Sequence, residues 1–218
     1  SSFLVTAKLA GIAYILAVVL GVVVGVVAAV NHGKWVDSVL MTISVFGISA
    51  PAFWIAIILQ IVICLKFNLL PLSGIDSFKS FILPGIALGT RYAASIARIT
   101  RTSMLDVLSQ DYIRTAEAKG LKGWVVTIKH ALRNALIPII TIAGSDLGNI
   151  LTGSVLVESV FSIPGIGKML VDSINTRDLP IVQGGVMYIA VICVIMYLVV
   201  DLLYTVVDPR IRLGKESS

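Results

Sequence analysis

Few side chains in this 218-residue chain have the types and spacing needed for catalysis. A phosphate-binding loop needs a second glycine well before its Gly-Lys pair, and neither Gly33-Lys34 nor Gly167-Lys168 has one at the required position. The two histidines, His32 and His130, lie far apart, and no cysteine–histidine spacing suits a zinc ion. The sequence therefore predicts that the chain is not an enzyme. Another subunit or an ion gradient must supply any energy it uses.

Two ionisable side chains, Arg91 and Asp146, interrupt segments that are otherwise apolar. Arg91 follows Leu83 by eight residues, and Asp146 precedes Val157 by eleven. At about 1.5 Å per helical residue, they lie roughly 12 Å and 16 Å below the same membrane surface. A charge at such depth costs about 2.5–3.5 kcal/mol and normally faces a partner or a water-filled path. Two interpretations stay open. The side chains form an ion pair, with each other or with a partner chain, that fixes the packing of helices, or one or both line a translocation path.

The longest polar passage, residues 105–134, has charges of both signs in an amphipathic pattern. The charged residues in its central part are Asp111, Arg114, Glu117, Lys119, Lys122, Lys129 and Arg133. The apolar residues on one predicted face are Leu105, Leu108, Tyr112 and Ala116, followed by Trp124, Ile128 and Leu132. Gly120 separates the two groups and is expected to take a positive φ or to approach a partner closely. The pattern predicts two short helices that meet at this glycine; a solvated basic loop is the alternative.

The composition identifies an all-α membrane protein. Hydrophobic residues make up 57% of the chain and charged residues 13%, and the mean hydropathy is +0.99. In such a protein the net charge of +5 reports membrane topology, so we expect no nucleic acid partner. The chain is expected to form a single transmembrane domain over residues 1–218. Its predicted spans are residues 9–30, 38–65, 81–104, 135–157 and 181–206.

Prolines and glycines predict features of individual spans and loops. Pro51 is expected to kink the second span, and the pair Gly21 and Gly25 is expected to let a neighbouring helix approach the first. Turns are predicted in residues 66–80 and 158–180, and the second of these loops has room for a short interfacial segment.

The distribution of lysine and arginine gives an orientation. The side that holds residues 98–133 and the C-terminal tail carries eleven of these residues, and the opposite side carries five. The positive-inside rule therefore places residues 105–134 and the C-terminus in the cytoplasm. Five spans then put Ser1 outside, so we expect that a first helix is missing ahead of this chain.

Two segments carry a specific resemblance. Residues 111–121 read Asp-Tyr-Ile-Arg-Thr-Ala-Glu-Ala-Lys-Gly-Leu, and residues 130–138 read His-Ala-Leu-Arg-Asn-Ala-Leu-Ile-Pro. Together they closely resemble the cytoplasmic signature of ABC-importer permeases, in the dipeptide, oligopeptide and nickel branch. Further similar segments are residues 97–105, 157–167 and 201–212, and residues 70–74 resemble the first of that branch's two permease types. The Glu-Ala-Ala of the broader superfamily falls on Arg114-Thr115-Ala116, a departure that is usual in the peptide branch.

The resemblance implies a type I importer bundle in a bacterial or archaeal cytoplasmic membrane, with di- or oligopeptides as cargo. The implied partners are a second homologous permease, two cytoplasmic ATPase subunits that bind ATP and Mg²⁺, and an external substrate-binding protein; no cofactor is expected in this chain. The residues implied to couple the permease to the ATPase are Asp111, Tyr112, Arg114, Thr115, Ala116, Glu117, Ala118, Lys119, Gly120, Leu121, His130 and Asn134. Arg91 and Asp146 lie outside this signature, so the resemblance does not decide whether they form ion pairs or line a path where they would meet the charged ends of a peptide.

The sequence also leaves three alternatives for the function. The same architecture could carry nickel complexes, glutathione or another small solute. An ion-driven secondary transporter or channel would have no ATPase partner, and a membrane-embedded enzyme would need the clustered ligands or nucleophile that the sequence lacks.

Overall fold

Nearly all of the described chain is helical. A computed structural model describes residues 2–75 and 77–207, with the backbone alone for residues 151, 152, 201 and 203–207. Its α-helices, in chain order, are α1 Ser2–Val30, α2 Trp35–Ser49, α3 Ala52–Leu59, α4 Ile82–Leu108, α5 Asp111–Ala118, α6 Gly123–Val125, α7 Arg133–Val160, α8 Ile166–Asn175 and α9 Leu179–Val207. A π-helix at Gln60–Lys66 continues α3, another at Val126–Leu132 joins α6 to α7, and a 3₁₀ turn at Phe78–Phe81 leads into α4.

Three stretches of helix in the described residues are long and apolar enough to cross a membrane. They are Ser2–Val30, Gly123–Ile150 and Leu179–Val200. They correspond to the predicted first, fourth and fifth spans. A fourth is added if the bent pair Trp35–Ser49 and Ala52–Lys66 counts as one span. The structure therefore supports three or four spans by length and composition, and the count of five stays a prediction.

The predicted third span, 81–104, is a helix, α4, but it lacks the apolar character of the others. Its position explains this difference, because α4 packs against α1, α2, α3 and α7. Much of its surface therefore meets protein, and it can carry arginines and small residues that lipid would disfavour. Helix α4 is the centre of the fold.

The glycine pair in α1 brings that helix against α4. A Cβ added at Gly21 would lie 2.7 Å from the backbone oxygen of Ala93, and one at Gly25 would lie 2.6 Å from that of Ala97. Any side chain larger than hydrogen would push the two backbones apart. The predicted close approach is confirmed, and the structure adds that the partner is α4.

The second predicted span differs from a simple kinked helix. Residues 38–65 form two helices, which are bent by 107° at Ala50 and Pro51. Pro51 precedes the first residue of α3 with an extended backbone (φ −63°, ψ 138°). Since a proline lacks the N–H that would continue α2 and disfavours a helical residue before it, the chain turns sharply here.

The remaining boundaries lie close to the predicted ones. The predicted loop 158–180 contains the 10-residue helix α8, where an interfacial segment was expected. The second short helix predicted after Gly120 is instead the beginning of one long helical stretch that runs from Gly123 to Val160. The C-terminal tail from Asp208, with Arg210, Arg212 and Lys215, lies outside the described residues.

Two hydrophobic clusters lie at opposite ends of the bundle. One cluster packs the start of α1 against residues in or next to loops 66–80 and 158–180. It contains Leu9, Phe81, Phe161 and Ile163. The other joins the end of α1 to residues 105–134 and contains Ala29, Met104, Ile113 and Val126. This arrangement places loops 66–80 and 158–180 at one end and residues 105–134 at the other, as the charge-based orientation requires.

Candidate coupling surface and membrane cavity

Helix α5 is attached to the bundle by its apolar side. Ile113 is 1% exposed and Ala116 is 7% exposed, and both belong to the cluster that includes Met104, Val126 and Ala131. The remaining residues of α5 are exposed. An eight-residue helix is too short to be stable alone in water, so this packing holds it in place. The exposed face of α5 is therefore held in a fixed position relative to the bundle.

A Schellman motif ends α5. The N–H of Gly120 donates to the carbonyl of Glu117 at 2.8 Å, and the N–H of Leu121 donates to the carbonyl of Ala116 at 3.4 Å. Gly120 has φ +76°, the left-handed conformation in which a side chain is disfavoured. The structure confirms the positive φ expected of Gly120, and the close approach of a partner at this position stays a prediction.

The predicted coupling residues separate into an exposed and an anchoring group. The exposed ones are Asp111, Tyr112, Arg114, Thr115, Glu117, Ala118, Lys119, Gly120, Leu121 and Asn134, whereas Ala116 is buried and His130 is half-buried. The Asn134 amide donates to the Tyr112 hydroxyl at 3.0 Å and to the His130 carbonyl at 2.7 Å. The bond to Tyr112 links α5 to the first turn of α7. The structure thus brings both halves of the sequence signature together.

The predicted apolar stripe in this region is wrong in two places. Residues 105–116 do not form one helix, because α4 ends at Leu108 and α5 begins at Asp111. After Gly120, Trp124 is 69% exposed and Ile128 is 51% exposed. Val126 and Ala131 are buried in their place. The π-helix at residues 126–132 accounts for Ile128, since i→i+5 hydrogen bonding rotates side chains away from 3.6-residue periodicity. Trp124 precedes this π-helix and lies in α6.

A buried ion pair fastens α2 to α4 at the same end of the molecule. The Arg101 guanidinium donates to both Asp37 oxygens, from Nε to Oδ1 at 2.6 Å and from Nη2 to Oδ2 at 2.7 Å. His32 Nδ1 lies 3.2 Å from Asp37 Oδ2, and the Gly33 N–H also donates to that oxygen. Asp37 is 4% exposed. The pairing escaped sequence analysis because 64 residues separate the two side chains.

A second buried carboxylate, Glu158, lies at the opposite end. It is fully buried and accepts three hydrogen bonds: from the Thr6 hydroxyl at 2.7 Å, the Gly167 N–H at 2.8 Å and the Lys168 N–H at 3.2 Å. The Thr6 hydroxyl in turn accepts from the Ile166 N–H at 2.9 Å. Glu158 thereby joins α1, α7 and the start of α8. The only sequence signal was a glutamate at the end of an apolar run, just before Pro164 and Gly165.

Arg91 and Asp146 line one cavity of about 510 Å³ between α4 and α7. Tyr92, Ser95 and Asn149 add further polar groups to its wall. In the described residues, Arg91 and Asp146 form no ion pair within 4.0 Å, and the buried Oδ2 of Asp146 has no hydrogen-bond partner. Their similar depth, inferred from the sequence, thus corresponds to a shared cavity wall in the structure.

Comparisons with known proteins define the class. The family of inner membrane components of binding-protein-dependent transport systems matches residues 21–213, and the chain belongs to this family. It is 44% identical over 212 residues to the glutathione transport system permease protein GsiC of Salmonella typhi and of Escherichia coli (strain K12). Each alignment covers 97% of this chain and 69% of the relative.

Solved structures show the same fold at much lower identity. A crystal structure of an amino acid ABC transporter with histidines gives a TM-score of 0.71 at 16% identity, covering 94% of this chain and 91% of that one. The inward-facing methionine ABC transporter MetNI gives a TM-score of 0.75 at 15% identity, covering 95% of this chain and 94% of that one. These matches concern the fold alone.

The family membership confirms the resemblance inferred from residues 111–138. The chain is a multi-pass permease subunit of an ABC importer in the inner membrane. It is the non-catalytic component, and ATP binding belongs to a partner ATPase. As a component of a binding-protein-dependent system, it works with an ATPase and a substrate-binding protein.

Proposed function

We propose that this permease carries glutathione or a closely related small peptide across the membrane. The observation that carries the proposal is the 44% identity to glutathione transport permeases over 97% of the chain. This similarity favours glutathione, one of the alternatives raised by the sequence, over di- and oligopeptides in general. Reconstitution with a partner permease, the ATPase subunits and the binding protein tests it: ATP-dependent uptake of labelled glutathione supports the proposal. Uptake of other solutes but not glutathione would contradict it.

We further propose that α5 couples the permease to the ATPase. Its exposed face carries Arg114 and Glu117 beside the glycine-ended turn, while its opposite side is fixed to the bundle through Ile113. Such a helix can transmit a movement of a partner subunit to α4 and α7 as rigid-body motion. The expected assembly contains this chain, a second homologous permease, two ATPase subunits and an external binding protein, with the transmembrane domain spanning the membrane five times.

Charge reversal tests the coupling role. Arg114→Glu and Glu117→Lys replace exposed charges without touching the buried anchor of α5. ATP-driven uptake should fall about tenfold or more, because a like-charge contact in an interface costs several kcal/mol and 1.4 kcal/mol is a factor of ten. The control Lys79→Glu reverses an exposed charge at the opposite end and should leave uptake unchanged. Normal uptake in both α5 variants would refute the coupling role.

Thiol labelling tests the orientation. In intact cells, cysteines at the exposed positions Ser77 and Asn175 should react with an impermeant reagent from outside. A cysteine at the exposed Ser109 should react only after the cells are opened. Labelling of residue 109 from outside would reverse the orientation and remove α5 from the reach of a cytoplasmic ATPase.

A further inference from the structure

The cavity between α4 and α7 differs in chemistry from the two apolar cavities that lie beside α1 in the described chain. Those beside α1 are lined almost wholly by apolar side chains such as Leu16, Ile43, Val18 and Ile139. The cavity at Arg91 and Asp146 instead combines a guanidinium, a carboxylate, a phenol, a hydroxyl and an amide. Ligand sites use a small number of such converging polar groups, and its volume of about 510 Å³ is in their usual range of about 300–1,000 Å³.

The two charges in this cavity are left available. Arg91 makes no hydrogen bond or ion pair among the described residues, and Asp146 Oδ2 is buried without a hydrogen-bond partner. Arg91 lies nine residues after Ile82, the first residue of α4. At about 1.5 Å per residue, it is roughly 14 Å from this N-terminal end of the helix. Unpaired charges at this depth are costly unless water or a ligand meets them. A structural ion pair would bring the Arg91 guanidinium within 4.0 Å of the Asp146 carboxylate, and the two side chains form no such pair.

The other polar groups are arranged differently. The Asn149 carbonyl accepts from the Tyr197 hydroxyl at 2.8 Å, and its amide donates to the Ser145 carbonyl at 3.3 Å. Asn149 is therefore held by α7 and α9. The Tyr92 hydroxyl, next to Arg91, has no hydrogen-bond partner among the described residues. A hydroxyl can both donate and accept, which suits the N–H and C=O of a peptide bond.

We propose that Arg91 and Asp146 form a binding site for the two charged ends of a zwitterionic peptide. The planar guanidinium of Arg91 binds a carboxylate through two parallel N–H donors. The carboxylate of Asp146 accepts from an ammonium group, and the Tyr92 hydroxyl bonds the peptide between them. The inference rests on the proposed function and adds to it a substrate class: solutes with a free ammonium and a free carboxylate, recognised within the membrane by the permease itself.

Alkylation of a cysteine in the cavity measures binding without transport. Ser95→Cys places a thiol on the cavity wall, in a chain whose own cysteines are removed by Cys64→Ala and Cys193→Ala. The assembled transporter, without ATP and without binding protein, is treated with N-ethylmaleimide. Millimolar trialanine should slow the reaction, whereas N-acetyl-trialanine amide, which has neither charge, should not. A cysteine at the exposed Ser109 is the control and should react equally with or without either peptide.

Substitution of each charge extends the test. In Arg91→Gln and in Asp146→Asn, the trialanine concentration that halves the alkylation rate should rise about tenfold or more, the change expected for one lost hydrogen bond between charged groups. The neighbouring changes Thr90→Val and Ser145→Ala, at side chains bonded within their own helices, should leave that concentration unchanged. Equal protection by free and blocked trialanine, or no protection by either, overturns the proposal. This result can be obtained with Arg91 and Asp146 both intact.

The outcomes separate this site from the proposed function. Protection by trialanine with no ATP-driven uptake of glutathione would keep the site and reject the function. Glutathione uptake with no protection would keep the function and reject the site. Unchanged protection in both charge variants would assign binding to other groups and overturn the proposal.

Discussion

The buried carboxylate of Glu158 gives a prediction whose size follows from its contacts. Glu158→Ala removes the acceptor of three hydrogen bonds and leaves the Thr6 hydroxyl and the N–H groups of Gly167 and Lys168 without it. Each buried donor left unsatisfied costs about 1–3 kcal/mol. The free energy of unfolding should therefore fall by about 3 kcal/mol or more.

Thermal unfolding of the purified permease in detergent measures this loss. A change of 1 kcal/mol shifts the midpoint by about 2–4 °C for a chain of this size, so Glu158→Ala should lower it by roughly 6–12 °C. Glu158→Gln should lower it less, because the amide oxygen can still accept from Gly167 and Lys168 while the amide nitrogen donates to Thr6.

The control for Glu158 is a solvent-exposed carboxylate on the next helix, α8. Asp172 pairs with Lys168 at 2.9 Å, and its side chain is 58% exposed. Exposed pairs contribute about 0–1 kcal/mol, so Asp172→Ala should shift the midpoint by a few degrees at most. A wild-type midpoint for Glu158→Ala, or a larger loss for the glutamine variant than for the alanine variant, would refute the role assigned to Glu158.

Two further predictions concern the opposite end. Gly120→Val should uncouple glutathione uptake from ATP hydrolysis while the permease still assembles, because valine is disfavoured at φ +76°. The control is Gly123→Val, at a position without a positive φ. Equal uptake in both variants would show that the turn is dispensable. Arg101→Gln should lower the stability by about 3 kcal/mol, the lower end of the range for breaking a buried ion pair, because Asp37 loses the guanidinium but keeps its contacts with His32 and the Gly33 N–H. Thermal unfolding measures the loss. The double variant Arg101→Leu with Asp37→Leu should regain much of it, and no recovery would show that the pair is not the cause.

The sequence determined the membrane setting, the helical class and the family. Hydropathy marks apolar helices directly, so the end of the first span and both ends of the fifth were predicted to within two residues, although α1 begins at Ser2 and not at residue 9. The turn at Gly120 was equally local, because a glycine after a polar helix has few other uses. The signature at residues 111–121 and 130–138 identified the family before any contact was known, and the family model confirms it.

The sequence was less informative wherever a residue's neighbours come from distant segments. It predicted that Gly21 and Gly25 allow close packing but could not name α4 as the partner. It predicted α4 as a span but not why this helix is less apolar than the others, which is that protein surrounds much of it. The exposure of Ile128 depends on a π-helix that 3.6-residue periodicity does not predict.

Only the tertiary structure decided how the ionisable groups are used. Asp37 and Glu158 became buried acceptors because donors from residues 64 and 152 positions away come within hydrogen-bond distance. Arg91 and Asp146 could be placed at similar depth from the sequence, but helical rise gives depth alone and not rotation about the helix axis. The packing of α4 against α7 sets that rotation, and it turns both side chains into one polar cavity.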